Sequence, residues 1–185
     1  TDIVILHALT KNEHAEQLHQ MEKIAKSVQS MLSAATEDSA LISTSLYMDN
    51  SLQDFVSRQY ASPQDYFSSY REYIHNSLLQ GVSRITNSVI RVYADNETLI
   101  NGSEFARLST VSQEPWYQQY TADGYSPRLL FSYDETDGRQ VLFLRGMNGL
   151  YSNKAECLLC IEINYSTLDR DFQNMGYNDS VYVCS

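Results

Sequence analysis

The sequence predicts an α+β fold: a long N-terminal helix followed by an antiparallel sheet flanked by helices. Three features carry that reading. The chain has no Gly or Pro before Asp49-Asn50, and its apolar residues there recur at alternating intervals of three and four. From Ser88 onward, short Val-, Ile-, Leu- and Tyr-rich runs separated by polar turns take over. Helical patterns cluster before the strands rather than alternating with them, which separates α+β from α/β.

The first helix carries Leu18, Met21, Ala25, Val28, Leu32, Ala35, Ile42 and Leu46 on one stripe, with Ser39 in one heptad slot. Lys11, Glu13, Glu16, Gln17, Glu22, Lys23, Lys26 and Gln29 occupy the rest of the surface. So narrow a stripe covers a partner helix, the flank of a domain, or both. A short helix is predicted at about Ser51 to Arg58. A third opens at Ser62-Pro63-Gln64-Asp65, with Ser as N-cap, Pro in the first turn and Asp at the capping-box position. Its face is Phe67, Tyr70, Ile74 and Leu78, and Gly81 is its expected terminator. The boundary between the helical arm (1–60) and the domain that follows (61–178) is expected at Tyr60-Ala61-Ser62-Pro63.

Ser88 to Ala94 reads as a strand, Asp95-Asn96-Glu97 as its turn and Thr98-Leu99-Ile100 as the returning strand. Gln113 to Thr121 is a short helix with Pro115 in its first turn. Arg128 to Tyr133 and Gln140 to Met147 are strands joined by a turn ending in Asp137-Gly138. Asn148 to Lys154 connects to the most apolar strand, Glu156 to Ile163, and Tyr165 to Met175 is a final helix. Short connections make consecutive strands antiparallel.

The net charge is -10 at pH 7 and the pI is near 4.7, without a Lys/Arg cluster; this argues against phosphate-backbone binding, so no nucleic acid is expected as partner. No segment approaches the ~20 apolar residues of a membrane span. Tyrosine is abundant, 14 against one Trp, and such residues either fill half-buried strand positions or build binding surfaces. Cys157 and Cys160 lie at odd separation in one strand, hence on opposite faces, and are expected as buried thiols. Catalytic signatures are missing: there is no phosphate loop, no nucleophile elbow and no His-Glu-x-x-His. His7, His14, His19 and His75 form no ligand spacing. The turn holding Asp134, Glu135 and Asp137 is read as solvated, or as a cation loop without the EF-hand order. The row Val141, Phe143, Arg145, Met147 puts one cation on an apolar face. Arg145 there needs an anion, either Glu162 on the next strand or a ligand. Trp116, Tyr117, Tyr93 and Tyr133 are candidate stacking walls.

Four segments carry a family resemblance. They are Ile42 to Phe55, Tyr93-Ala94-Asp95-Asn96, Pro115-Trp116-Tyr117, and Cys160 to Leu168. In order and spacing they resemble the extracytoplasmic Cache (PAS-like) sensor region of YesM-type sensor histidine kinases, within the double-Cache group. The resemblance implies a small-molecule sensor of a two-component system that is not itself an enzyme and carries no cofactor. It also implies a homodimer formed through the N-terminal helix, and transmembrane helices before and after the region. Val181-Tyr182-Val183-Cys184 would open a membrane-proximal unit (179–185), so the chain is expected to be a piece of a larger membrane protein. Some double-Cache domains hold an amino acid with an Arg two residues before the Trp-Tyr pair and a later Tyr and Asp. Here Trp116 and Tyr117 match, and Tyr133-Asp134 match approximately. Glu114 stands where the Arg would be, so the carboxylate clamp is missing. The alternatives are a Cache ectodomain of a chemoreceptor or cyclic-dinucleotide enzyme, a structural or adhesive ectodomain, and a hydrolase with a spatially assembled site.

Overall fold

A computed structural model describes residues 2–86, 88–122, 124–134, 138–147 and 157–174, with side chains from Glu13 onward except at 134, 165, 167, 169, 171 and 172. The connection Asn148 to Lys154, the turn at Glu135 and Asp137, and the segment 179–185 lie outside the described residues. The chain is α+β. Its elements are α1 (Asp2–Tyr47), α2 (Asn50–Ser57), α3 (Pro63–His75), α4 (Leu78–Thr86), β1 (Val89–Ala94), β2 (Phe105–Arg107), α5 (Pro115–Ala122), β3 (Arg128–Asp134), β4 (Gly138–Gly146), β5 (Cys157–Ile163) and α6 (Tyr165–Asn174). A 3-10 turn (Leu108–Thr110) leads into α5. No described helix is long and apolar enough to cross a membrane.

Two compact units divide the chain. One holds α1 up to Ala35 together with α6 from Ser166; in it Val28 and Leu168 are buried, while Leu18 and Met21 are half exposed. The other is Thr36–Tyr165, so it begins well before the Tyr60 to Pro63 boundary the sequence suggests. The reason is packing. Leu46 at the end of α1 and Leu52, Phe55 and Val56 of α2 belong to the same core as the sheet.

The sheet runs β2-β1-β5-β4-β3. β3, β4 and β5 form an antiparallel meander, and β1 pairs antiparallel with β5. β1 and β2 are parallel, with Val92 opposite Phe105. The expected return strand at Thr98 to Ile100 therefore does not form. Asn96 explains why. Its side-chain amide is buried and donates to the carbonyls of Val56 (2.9 Å) and Arg58 (2.8 Å). Its Oδ1 accepts from the Thr98 amide (3.0 Å) and hydroxyl (2.7 Å). This Asx-type knot turns the chain into the core at Leu99, and only later does Phe105 reach the edge of β1.

A second difference lies in the helices. Gly81 does not end α3; it sits inside α4, and the break falls at Asn76-Ser77. The Ser77 hydroxyl accepts from the Gln80 amide at 3.2 Å, a local N-cap that starts a new helix. The other caps follow the expected pattern. Asp49 caps α2 at Ser51 and Leu52, and Ser62 caps α3 at Asp65 with Pro63 in the first turn.

Both sheet faces are covered. Ile90, Val92, Ala94, Phe143, Leu159 and Ile161 share one core with α1, α2, α3 and α4. Within it Phe55 meets the rings of Tyr60, Tyr66, Tyr73 and Phe105 at 4.7 to 5.8 Å. Tyr93, Leu130, Leu142, Leu144, Leu158 and Cys160 form the other core, with Trp116 and Tyr120 of α5.

Two outcomes follow. Asn96→Ala strands the buried Val56 carbonyl and the part-buried Arg58 carbonyl and should cost about 3 kcal/mol in urea unfolding, against about 1 kcal/mol for Thr98→Val; equal, small losses would refute the knot. Burial also pushes the Tyr60 and Tyr66 phenols up to about 12, from 10.0. Unfolded chains release these protons at lower pH than folded ones, so the urea midpoint should fall as pH rises from about 10 toward about 12. A midpoint flat over that window would contradict the buried phenols.

Candidate functional site

The core over α5 is incompletely filled. Alternation puts Val89, Arg91 and Tyr93 of β1, Gln140 and Leu142 of β4, and Cys160 and Glu162 of β5 on one face of the sheet. The 3-10 turn and α5 lie over that face. Between them is a cavity of about 130 Å³, lined from above by Val111, Glu114 and Trp116. Tyr93, Leu142, Cys160 and Trp116 line it as buried groups, while Arg91, Gln140, Glu114 and Glu162 retain solvent exposure.

Local chemistry holds α5 in place. Pro115 starts the helix, and the Glu114 carbonyl accepts the Gln118 amide at 3.0 Å. The buried Tyr120 hydroxyl accepts from the Gly146 amide and donates to the Tyr125 carbonyl, both at 2.7 Å. That bolt ties α5 to the end of β4. The Trp116 indole then rests against the Tyr93 ring, with centroids 6.1 Å apart.

The polar lining is internally coupled on one side only. Burial alone would lower the Arg91 pKa, but the Tyr93 phenol and the Glu162 carboxylate nearby on the same face raise it. Burial, with the Cys160 thiol and Glu162 nearby, raises the Tyr93 phenol, against which Arg91 acts. Burial and Glu162 push the Cys160 thiol up to about 12. The Glu114 carboxylate, by contrast, has no hydrogen bond or ion pair to a described residue.

Of the predicted site residues, the structure brings Trp116 and Tyr93 together. Tyr117 stands edge-on to Trp116 at 6.0 Å but does not line the cavity. Tyr133 is 71% exposed on the edge strand β3, opposite Arg139, far from forming a wall. Asp134 pairs by backbone with Gly138, and its side chain lies outside the described ones. Arg145 faces the other way. Its Nη1 donates to Ser43 Oγ (3.1 Å) and Thr44 Oγ1 (2.8 Å), and its guanidinium lies over the Tyr47 ring at 4.8 Å. The anion expected for it is therefore replaced by two hydroxyls and a π-face of α1. Glu162 cannot be its partner, because Glu162 lies directly opposite Leu142, on the cavity face. Arg91 was missed by sequence reasoning, although the alternation Val89, Arg91, Tyr93 against Ile90, Val92 carries the signal.

A larger open groove of about 710 Å³ lies among α1, α2 and α3. Its charged lining is largely committed to structure: Asp49 caps α2, and Arg58 pairs with Asp65 at 2.9 Å. No known protein family matches the chain, and no curated protein matches it.

Cys157 and Cys160 are buried on opposite faces, and burial pushes both thiols up to about 12. Native protein should resist iodoacetamide at both in mildly alkaline buffer, and unfolding in urea should expose both. Peptide mass spectrometry separates them from Cys184; alkylation of native Cys160 would refute its burial.

Proposed function

We propose that this chain is the extracytoplasmic ligand-sensing region of a membrane-bound sensor histidine kinase, a Cache (PAS-like) module of the YesM type. The observation that carries the reading is the cavity under Trp116. It is small, has a buried aromatic side and a polar side, and sits between a sheet and a helix bolted to it. The segments that resemble the family map onto the parts that matter. Tyr93-Ala94-Asp95-Asn96 gives one wall and the knot, Pro115-Trp116-Tyr117 gives the covering helix, and Cys160 to Leu168 runs from the sheet into α6.

The route to the helix runs through β4. Leu142 lines the cavity, and three residues on, the same strand presents Arg145 to Ser43, Thr44 and Tyr47 of α1. A ligand that favours one position of β4 over another thereby biases α1. Half-exposed Leu18 and Met21 on the heptad stripe suit pairing of α1 with a second copy, which gives a dimer in which such a bias can be read.

The test is a thermal-shift screen of the full chain against a library of small polar metabolites. A hit should raise Tm for the native protein and for Arg145→Met, whose change lies on the opposite face. Leu142→Phe, which fills the cavity, should abolish the response while keeping a cooperative unfolding transition. A response that survives Leu142→Phe would remove the ligand from this cavity, and a library without hits would count against sensing.

A further inference from the structure

We propose that the cavity takes a small organic cation, an alkylammonium of about five to seven heavy atoms, with Glu114 as its counter-charge and Trp116 and Tyr93 as its aromatic contacts. The inference rests on the cavity being the ligand site and adds the class of ligand.

Charge comes first. The lining holds one cation, Arg91, and two carboxylates, Glu114 and Glu162. Arg91 and Glu162 are diagonal neighbours on one face of the β1–β5 pair, so their charges offset. The Tyr93 phenol and the Cys160 thiol are neutral at pH 7, and burial moves both further from ionising. What remains is one negative charge, on Glu114, which no described side chain answers. An anionic ligand would add a second negative charge beside it. A neutral one would leave Glu114 as it is. A cation brings the missing partner and gains a charge-assisted hydrogen bond.

The geometry agrees with that chemistry. Glu114 immediately precedes α5, and Trp116 follows two residues later, so both come from the covering segment. The Tyr93 ring, tilted 48° to the indole, supplies a second π-surface from the sheet. An ammonium beside a carboxylate and near an indole face is stabilised by both, the second through the ring quadrupole. Leu142 and Val111 provide the apolar surface an alkyl chain needs. Size agrees too: a cavity of about 130 Å³ suits a short alkyl chain with one polar head.

The experiment uses three chain-matched probes, n-butylammonium, n-butanol and n-butyrate, titrated into the full chain. Binding is read by calorimetry and by the emission of Trp116, the single tryptophan. Saturable binding of n-butylammonium in about the millimolar range is expected, as suits so few atoms. Glu114→Gln should weaken it ~10- to 100-fold; Ile85→Ala, an exposed change away from the cavity lining, should leave it unchanged. If Glu114→Gln does not fold, the salt dependence decides: affinity should fall as ionic strength rises. Butyrate or butanol binding as well as butylammonium, and lost in Leu142→Phe, would overturn the cation while keeping the cavity as the site. No binding of any probe would also overturn the cation. The metabolite screen with Leu142→Phe judges the sensing reading separately.

Discussion

The constraint on which the rest of the unit Thr36–Tyr165 depends is that one sheet is buried on both faces. β5 shows it most plainly. Cys157, Leu159 and Ile161 enter the core shared with α1, α2, α3 and α4, while Leu158 and Cys160 enter the core under α5. Burying a Leu, Ile or Phe side chain stabilises by about 1.5–3 kcal/mol, and each strand contributes several to each side. A one-residue slip in register would exchange all of them at once. Against that sum the two hydroxyl contacts of Arg145 are minor, a few kcal/mol at most. Arg145 therefore follows its strand, and α1 supplies hydroxyls where the guanidinium arrives.

The two faces are finished differently. On the helix-rich side, aromatic rings close the space: Phe55, Tyr60, Tyr66, Tyr73 and Phe105 interlock. On the other side a single short helix must cover β1, β4 and β5. α5 is held at its far end by Tyr120 on Gly146, and Trp116 reaches Tyr93. One helix does not fill that width, and the strand ends beneath it carry Arg91, Gln140 and Glu162 rather than large apolar residues. The cavity is what remains. Its polarity comes from residue choice, since Leu or Phe at 140 or 162 would fill it.

Most of the architecture was legible in the sequence because it is local. The spacing of Leu18 to Leu46, the Ser62-Pro63 cap and the alternation within β4 and β5 each depend on residues a few positions apart. The parts that were not legible depend on distant partners. Asn96 looks like an ordinary turn residue, yet its amide ties two carbonyls some forty positions earlier, and that diverts the chain from a hairpin to a parallel edge strand. The break between α3 and α4 hangs on the Ser77 hydroxyl, a weak signal beside Gly81. For the site, Trp116 and Tyr93 were found from residue type. Arg145 was placed correctly in its row but given the wrong kind of partner, because Ser43 and Thr44 are about a hundred residues away in sequence. Arg91 was passed over for the same reason that makes it useful, being a polar residue within a strand.

The most direct test of this two-faced arrangement is a NOESY spectrum of protein with labelled leucine and isoleucine methyls, read from the indole of the single tryptophan. Trp116 should show cross-peaks to the Tyr93 ring and to methyls of at least one of Leu142, Leu144 and Leu158, and none to Leu159 or Ile161. Cross-peaks from the indole to Leu159 or Ile161 would place the covering helix on the wrong face and contradict the account.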